Sequence, residues 1–253
     1  MLNILRYGEI SGLPRLLIVH GLFGSARNWG AIAKRLSDSR EVISVDMRNH
    51  GDSRWFDSHS YADLADDLAE VIRAEGGALD VLGHSMGGKA AMMLALAQPD
   101  LVNRLLVADI APVTYAHSQS HLIRAMRALP LAQLHSRAEA DAALARSVDE
   151  PGVRAFLLQS LDLRASPPRW RLNLDVLEAE MDRIMGWPEV TGAFSGPTLF
   201  LSGARSDYVL PEHRPAIRNL FPAARFAKLP GVGHWLHAEA PRPFEATARM
   251  WFD

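Results

Sequence analysis

The stretch VLGHSMGG, residues 81–88, contains a serine between two glycines in the pattern Gly-x-Ser-x-Gly. The apolar residues that precede it predict a strand, and the Ala/Met/Leu-rich residues 89–98 predict a helix. A serine on so sharp a strand-to-helix turn needs small neighbours, so Gly83 and Gly87 leave room for the chain to pass. We therefore predict that Ser85 is a nucleophile, the alternative being a Gly/Ser turn that only packs the helix on the strand.

Strand and helix patterns alternate on both sides of this stretch. Short apolar runs predict strands at residues 15–19, 41–45, 78–82, 104–110, 198–202 and 224–229. Helical spacing predicts further helices at residues 29–36, from the N-cap Ser60 to Gly76-Gly77, and from Pro241 through Phe244, Ala248 and Trp251. Strands separated by helices are typical of an α/β fold with a mostly parallel, doubly wound sheet.

The alternation stops between residues 115 and 187. This part is rich in Ala, Arg and Leu, and prolines divide it into short helical patterns without a clear strand. Because the strand pattern resumes at residues 198–202, we interpret 115–187 as a helical cap inserted into a core of residues 1–114 and 188–253. A length of 253 residues by itself allows one large domain or two small ones. With this interpretation, the chain forms one sheet that is interrupted once by the cap.

Composition excludes several classes of protein. The chain has 27 Lys+Arg against 29 Asp+Glu, so no basic excess is present to bind the phosphates of nucleic acid. The absence of cysteine excludes disulfides, thiolate metal sites and a cysteine nucleophile. No apolar run reaches the roughly 18 residues of a membrane span, and residues 1–12 lack the apolar segment of a signal peptide. We expect a cytoplasmic globular protein, whose oligomeric state the sequence does not reveal.

The loop HGLFG, residues 20–24, follows the first predicted strand and offers backbone donors. Its glycines allow the backbone to approach a substrate, and we predict that the N–H of Leu22 or of Phe23 is one oxyanion donor. The other predicted donor is the N–H of Met86, at the N-terminus of the helix after the serine. His20 is interpreted as a structural residue of the loop, because the base follows the nucleophile along the chain in this architecture.

His234 is the candidate base, since it lies in the glycine-rich loop GVGHW after the last predicted strand. Two aspartates are candidates for the acid that orients it. Asp207 follows the strand at 198–202, whereas Asp109 lies at the end of the strand at 104–110. The carboxyl ends of parallel strands meet at one edge of a sheet, so either carboxylate could reach His234. Asp109 has the greater need of a partner, because an unpaired buried carboxylate costs several kcal/mol.

The other histidines do not predict a metal site. The pairs His117/His121 and His234/His237 have spacings that could place both members on one helix face. No Glu or Cys lies nearby to complete a set of ligands. We therefore predict no metal, and the chemistry of the candidate residues requires no organic cofactor.

Five motifs, HGLFGSARNWG, VDMRNHGDS, LGHSMGGKAAM, ADIAPV and GVGHW, together resemble an α/β-hydrolase, specifically the YbfF-like bacterial esterases. The resemblance covers nearly the whole chain and is least distinctive in the predicted cap. It implies an acid at the DIAP motif, which is Asp109. In the wider superfamily the acid is the Asp of Gly-x-x-Asp, and counting from Gly203 places Ser206 there. The resemblance therefore favours Asp109 as the acid, with Ser206 as an auxiliary contact to His234 and Asp207, one position late, as the alternative.

The segment DMRNHGDS, residues 46–53, resembles the D-x-R-x-x-G-x-S loop of the same family. We interpret this loop as structural, with Gly51 forming the turn and polar side chains binding the loop backbone. We expect no direct catalytic role for His50.

These residues predict a serine hydrolase, either a carboxylesterase or a thioesterase, that cleaves small to medium acyl esters or acyl-CoA. In this prediction Ser85 attacks the carbonyl carbon, His234 accepts its proton and Asp109 orients the imidazole. Three alternatives stay open: a carbon–carbon bond hydrolase, a cofactor-free haloperoxidase-like enzyme, and a binding protein of the hydrolase fold without enzymatic activity.

Two further sets of residues bear on the substrate. The aromatic residues Phe23, Trp29 and Trp235 flank the motif loops and are candidates for an apolar acyl pocket. Five arginines of the predicted cap are candidates to attract an anionic acyl donor, although a solvated helix face explains them equally: Arg124, Arg127, Arg137, Arg146 and Arg154.

Overall fold

Between residues 16 and 108 the order of the elements follows the predicted alternation of strands and helices. The computed structural model describes residues 1–253. The first half of the chain contains β1 (Asn3–Tyr7), β2 (Leu16–Val19), α1 (Gly30–Leu36), β3 (Val42–Asp46), α2 (Tyr61–Ala74), β4 (Leu79–His84), α3 (Met86–Ala97) and β5 (Val102–Ala108). The second half contains α4 (Ser120–Arg127), α5 (Arg137–Leu144), α6 (Pro151–Leu157), β6 (Leu161–Asp162), β7 (Arg169–Trp170), α7 (Leu174–Ala179), α8 (Met181–Met185), β8 (Thr198–Gly203), α9 (Arg214–Leu220), β9 (Ala224–Leu229), α10 (Leu236–Glu239) and α11 (Pro241–Phe252).

Seven strands form one sheet in the order β1-β3-β2-β4-β5-β8-β9. All neighbours pair in parallel except the edge strand β1, which is antiparallel to β3. The sequence does not predict β1, because this half-buried strand, NILRY, has no continuous apolar run. The predicted mostly parallel, doubly wound sheet is confirmed. The carboxyl ends of its parallel strands therefore meet at one edge, where such sheets bind ligands.

Alternate side chains of the strands pack into two apolar clusters, one on each face of the sheet. Leu17 and Val81 pack in the cluster that contains the buried faces of α2 and α3. Their chain neighbours Leu16 and Leu82 pack in the cluster that contains α1 and α11. Because both faces are covered, the strands are apolar along their whole length, and this explains why continuous apolar runs predicted them.

Local signals set the ends and faces of two helices as the sequence predicts. The Ser60 hydroxyl accepts a hydrogen bond from the Asp63 N–H, and the Asp63 carboxylate accepts one from the Ser60 N–H, so a capping box begins α2. In α11, Phe244 and Ala248 are fully buried, and Trp251 packs beside them while partly exposed. None of the helices is long and apolar enough to cross a membrane.

The chain between β5 and β8 contains five short helices and the two-stranded sheet β6-β7. The sequence predicts neither strand, since two residues each are too few to show an alternation. Backbone hydrogen bonds join this part to the loop after β3, from Gly51 N–H to Arg171 C=O at 2.8 Å and from Asn173 N–H to Asn49 C=O at 3.0 Å. The apolar cluster around α2 and α3 continues into these helices, so they share the core of the sheet instead of forming one of their own.

Candidate active site

Ser85 occupies a sharp turn between β4 and α3. Its backbone has φ 52° and ψ −124°, a region that residues other than glycine rarely adopt. A Cβ atom on Gly83 would lie closer than 3.0 Å to the carbonyl oxygen of Gly87, and one on Gly87 would lie as close to the carbonyl oxygen of His20. Both glycines are therefore required where the backbones of this turn and of the loop after β2 pass each other.

We expect Gly87→Ala to destabilise the protein by about 1–3 kcal/mol, because the added methyl group overlaps fixed backbone atoms. A domain of this size then loses about 2–4 °C in Tm for each kcal/mol. Thermal unfolding followed by circular dichroism measures the change. Gly152→Ala in α6 is the matched control, since its Cβ would meet no atom within 4 Å. An equal fall of Tm in both variants would contradict the role of close packing at the turn.

Ser85, His234 and Asp109 lie together at the carboxyl edge of the sheet. His234 Nε2 is 3.1 Å from Ser85 Oγ, and His234 Nδ1 is 2.8 Å from Asp109 Oδ2. A carboxylate can only accept hydrogen bonds, so Nδ1 carries the proton and Nε2 can accept from the serine hydroxyl. Asp109 is completely buried, and its second oxygen accepts the Gly203 N–H at 2.9 Å.

The two other candidates near the acid have different surroundings. The Ser206 hydroxyl donates to Asp109 Oδ2, so the expected contact from Ser206 to His234 is wrong. The turn after β8, closed by the bond from Ser206 N–H to Gly203 C=O at 3.2 Å, directs this hydroxyl to the carboxylate and not to the imidazole. Asp207 is exposed and forms no hydrogen bond with His234.

The loop after β2 and the start of α3 supply the candidate oxyanion donors. The Phe23 N–H already donates to His50 Nε2 at 3.1 Å, so Phe23 does not fit the donor role that the sequence left open for it. The Leu22 N–H has no acceptor within the protein. Met86 is the first residue of α3, where a backbone N–H has no intrahelical partner. Leu22 and Met86 thus keep free N–H donors beside Ser85.

Neutral buried histidines support these loops, as expected for His20 and His50. His20 Nε2 accepts the Met47 N–H at 2.9 Å, and its Nδ1 donates to the Gly21 carbonyl at 2.8 Å. Burial lowers the pKa of both His20 and His50 below the ordinary value, so both stay neutral. In the loop after β3, Asp46 accepts the Asp52 N–H at 2.9 Å, which agrees with the structural interpretation of that loop.

His84, the residue before Ser85, makes a contact that the sequence did not predict. Its Nε2 donates to the backbone carbonyl of His234 at 2.9 Å, and the two ring centroids are 4.8 Å apart. Burial holds the pKa of His84 well below the ordinary value, and the neighbouring His234 and His237 lower it further. The motif position alone could not show this contact, because it joins the end of β4 to the distant loop after β9.

A cavity of about 560 Å³ opens at the Ser85 hydroxyl. Phe23, Trp29 and Trp235, the candidates for an apolar pocket, all line it. Further apolar side chains come from the chain between β5 and β8 and from the ends of the strands: Ile110, Tyr115, Leu122, Val148, Val153, Phe156, Ile184 and Met185. Two acidic residues, Asp149 and Glu150, lie exposed where the cavity meets solvent.

Positive charge contributes little to this cavity. None of the five arginines considered above lines it, and Arg127 and Arg154 pair with acidic residues of their own segment. Lys89 is the one lysine in the wall. It is 1% exposed, and its Nζ donates to the carbonyl oxygens of Met185 at 3.0 Å and Gly186 at 2.5 Å. Burial lowers the pKa of Lys89 to about 7.

The sheet order, the serine turn after β4 and the histidine after the last strand together define an α/β hydrolase. The chain belongs to the Alpha/beta hydrolase family, whose profile matches residues 16–249. It is 44% identical to the sn-1-specific diacylglycerol lipase ABHD11 of Mus musculus, over 95% of this chain and 82% of the relative. It is 38% identical to the esterase YbfF of Escherichia coli (strain K12), over 89% of this chain and 88% of the relative, so the resemblance to YbfF-like esterases is confirmed.

A solved structure has a similar fold along the whole chain. It is described as a marine microorganism esterase and superposes with a TM-score of 0.94 at 37% sequence identity. The match covers 99% of this chain and 98% of that structure. The α/β-hydrolase fold that the motifs implied is therefore confirmed over both the sheet and the part between β5 and β8.

Proposed function

We propose that this protein is a serine esterase that hydrolyses carboxylic esters through an acyl-enzyme on Ser85. The observation that carries the proposal is the pair of contacts from Asp109 to His234 Nδ1 and from His234 Nε2 to Ser85 Oγ, at 2.8 and 3.1 Å. Such a chain of hydrogen bonds activates a serine hydroxyl that is unreactive by itself. The names of the relatives, a lipase and esterases, support ester bonds as the target.

The first half of the reaction acylates the serine. Ser85 Oγ attacks the ester carbonyl carbon while His234 Nε2 takes the hydroxyl proton. The carbonyl oxygen becomes an oxyanion, which accepts hydrogen bonds from the backbone N–H groups of Leu22 and Met86. The imidazolium then gives its proton to the alkoxide oxygen as the carbon–oxygen bond breaks. An alcohol leaves, and an ester joins the acyl group to Ser85.

The second half repeats these steps with water. His234 removes a proton from water, the hydroxide attacks the acyl carbon, and the same two N–H groups stabilise the second oxyanion. Collapse returns the proton to Ser85 Oγ and releases a carboxylic acid. Throughout, Asp109 keeps the Nδ1–H tautomer of His234 and stabilises the imidazolium, while Gly203 and Ser206 hold the carboxylate in place.

The cavity favours neutral esters with an apolar acyl chain. Its wall is mostly apolar, and its exposed rim has the carboxylates of Asp149 and Glu150. Phosphate groups of coenzyme A would approach these carboxylates without an arginine in the wall to bind them. The amino group of Lys89 is already bound to two carbonyl oxygens. We therefore propose uncharged oxygen esters, in preference to acyl-CoA, as substrates.

A pair of thioesters tests the preference for an uncharged substrate, and a series of oxygen esters tests the length of the acyl chain. Butyryl-CoA and butyryl-N-acetylcysteamine contain the same thioester, but only the first has phosphates. We expect kcat/KM to be at least about tenfold higher for the uncharged thioester, because the charged donor is repelled at the rim. A p-nitrophenyl ester series from acetyl to palmitoyl should in parallel have an optimum at intermediate chain length. Faster turnover of butyryl-CoA would refute the preference while leaving the esterase assignment intact.

A further inference from the structure

Tyr208, in the loop after β8, lies flat against the imidazole of His234. The two ring centroids are 4.0 Å apart and their planes differ by 21°. None of the motifs includes this tyrosine, and the catalytic steps above do not use it. It lines the cavity beside Ser85, so its ring contacts the base directly at the place where the reaction occurs.

Three contacts hold Tyr208 in this position. Its carbonyl oxygen accepts the Tyr115 hydroxyl at 2.7 Å, and the same Tyr115 oxygen accepts the N–H of Ala111, two residues after Asp109. Its N–H donates to Ser206 Oγ at 3.3 Å. Its hydroxyl forms a hydrogen bond of 2.8 Å with Nε2 of His117, an exposed residue between β5 and α4.

The loop that carries His234 needs such support. Gly231 has φ 68°, and Gly233 also precedes the histidine, so this backbone is less restricted than that of a strand. The hydrogen bonds to Asp109 and Ser85 restrain the two ring nitrogens, whereas a stacked ring restrains the tilt of the imidazole plane. The side chain of His234 is 17% exposed, so part of it has no protein contact.

We propose that Tyr208 is the positioning residue for the base, and that its bond to His117 fixes the tyrosine ring over the imidazole. This inference rests on the proposed serine-esterase function. A stacked aromatic ring both limits the motion of the imidazole and attracts the positive charge that the imidazole gains in the transition state. Its loss therefore lowers kcat more than it raises KM, because binding of the ground state does not require a charged imidazole.

Tyr208→Phe and Tyr208→Leu separate the ring from the hydroxyl. With p-nitrophenyl butyrate, we expect Tyr208→Leu to lower kcat about 10- to 100-fold with KM within about threefold. Tyr208→Phe keeps the ring and should retain kcat within about fivefold. The rate of inactivation by a fluorophosphonate, which requires an activated Ser85 but little substrate binding, should fall in the same proportion as kcat.

The variant His117→Ala tests whether the bond from His117, between β5 and α4, holds the ring of Tyr208 in place. His117→Ala should reduce kcat by the same factor as Tyr208→Phe. The kcat of the double variant should be no lower than that of either single variant, because both changes remove the same hydrogen bond. Additive losses would overturn the role of this bond. Equal losses in Tyr208→Phe and Tyr208→Leu, or an unchanged kcat in Tyr208→Leu with the wild-type circular dichroism spectrum, would overturn the role of the ring. A wild-type protein that neither hydrolyses esters nor reacts with the fluorophosphonate would instead contradict the esterase function itself.

Discussion

Replacing Ser85 with alanine is expected to lower kcat/KM for p-nitrophenyl butyrate by about 10⁵-fold, close to the complete loss seen when a nucleophile is removed. Without the hydroxyl no acyl-enzyme forms, and the imidazole 3.1 Å away has no proton to accept. The variant should fold normally, because alanine and serine both have a Cβ atom and meet the same steric strain at φ 52°. Hydrolysis of the ester and covalent labelling by a fluorophosphonate probe measure the effect independently.

Ser147→Ala is the matched control for this experiment, since Ser147 lines the same cavity on its exposed side. We expect this variant to keep both activity and labelling. If Ser85→Ala retained hydrolysis above about a tenth of the wild-type rate, another group would have to be the nucleophile.

The second large effect is expected for Asp109→Asn, with a fall in kcat of about 10⁴-fold. The asparagine amide can donate to His234 Nδ1, and this would stabilise the tautomer with its proton on Nε2. An imidazole in that form cannot accept the proton of Ser85. The side chain has nearly the same volume, so cavity formation does not contribute to the loss. Steady-state kinetics with p-nitrophenyl butyrate measure kcat, and thermal unfolding reports on the fold.

Asp207→Asn tests the alternative acid in the same assay. Asp207 is exposed and has no contact with His234, so its neutral variant should keep kcat within about twofold, since exposed substitutions rarely have larger effects. A large loss in Asp207→Asn together with an active Asp109→Asn would reverse the assignment of the two carboxylates.

The strands and helices of the sheet could be predicted because each one produces a pattern in residues that are close together in the sequence. A strand that is buried on both faces is apolar along its length, and the capping box of α2 lies within four consecutive residues, Ser60 to Asp63. The exceptions are instructive. The edge strand β1 and the two-residue strands β6 and β7 have too few buried positions to give a pattern, so only their pairing partners reveal them.

Local sequence patterns could not predict the hydrogen-bond partners of individual side chains. The expectation that Ser206 contacts His234 was wrong because a turn after β8 aims its hydroxyl at Asp109. Phe23 and Leu22 are adjacent in one loop, yet the remote His50 uses the N–H of Phe23 and leaves that of Leu22 free. The arginines between β5 and β8 do not line the cavity, which a helical pattern without its orientation could not show.

The sequence by itself determined the sheet class, the serine turn and the two glycines that make the turn possible, because each depends on residues that are neighbours in the chain. Only the tertiary structure decided which carboxylate meets His234 and which ring stacks on it. β5 lies between β4 and β8 in the sheet, so Asp109 emerges beside Ser85 and beneath the turn of Ser206, while Asp207 faces solvent. These contacts depend on the order in which distant strands pair, and the sequence of a single strand does not show which strands will lie beside it.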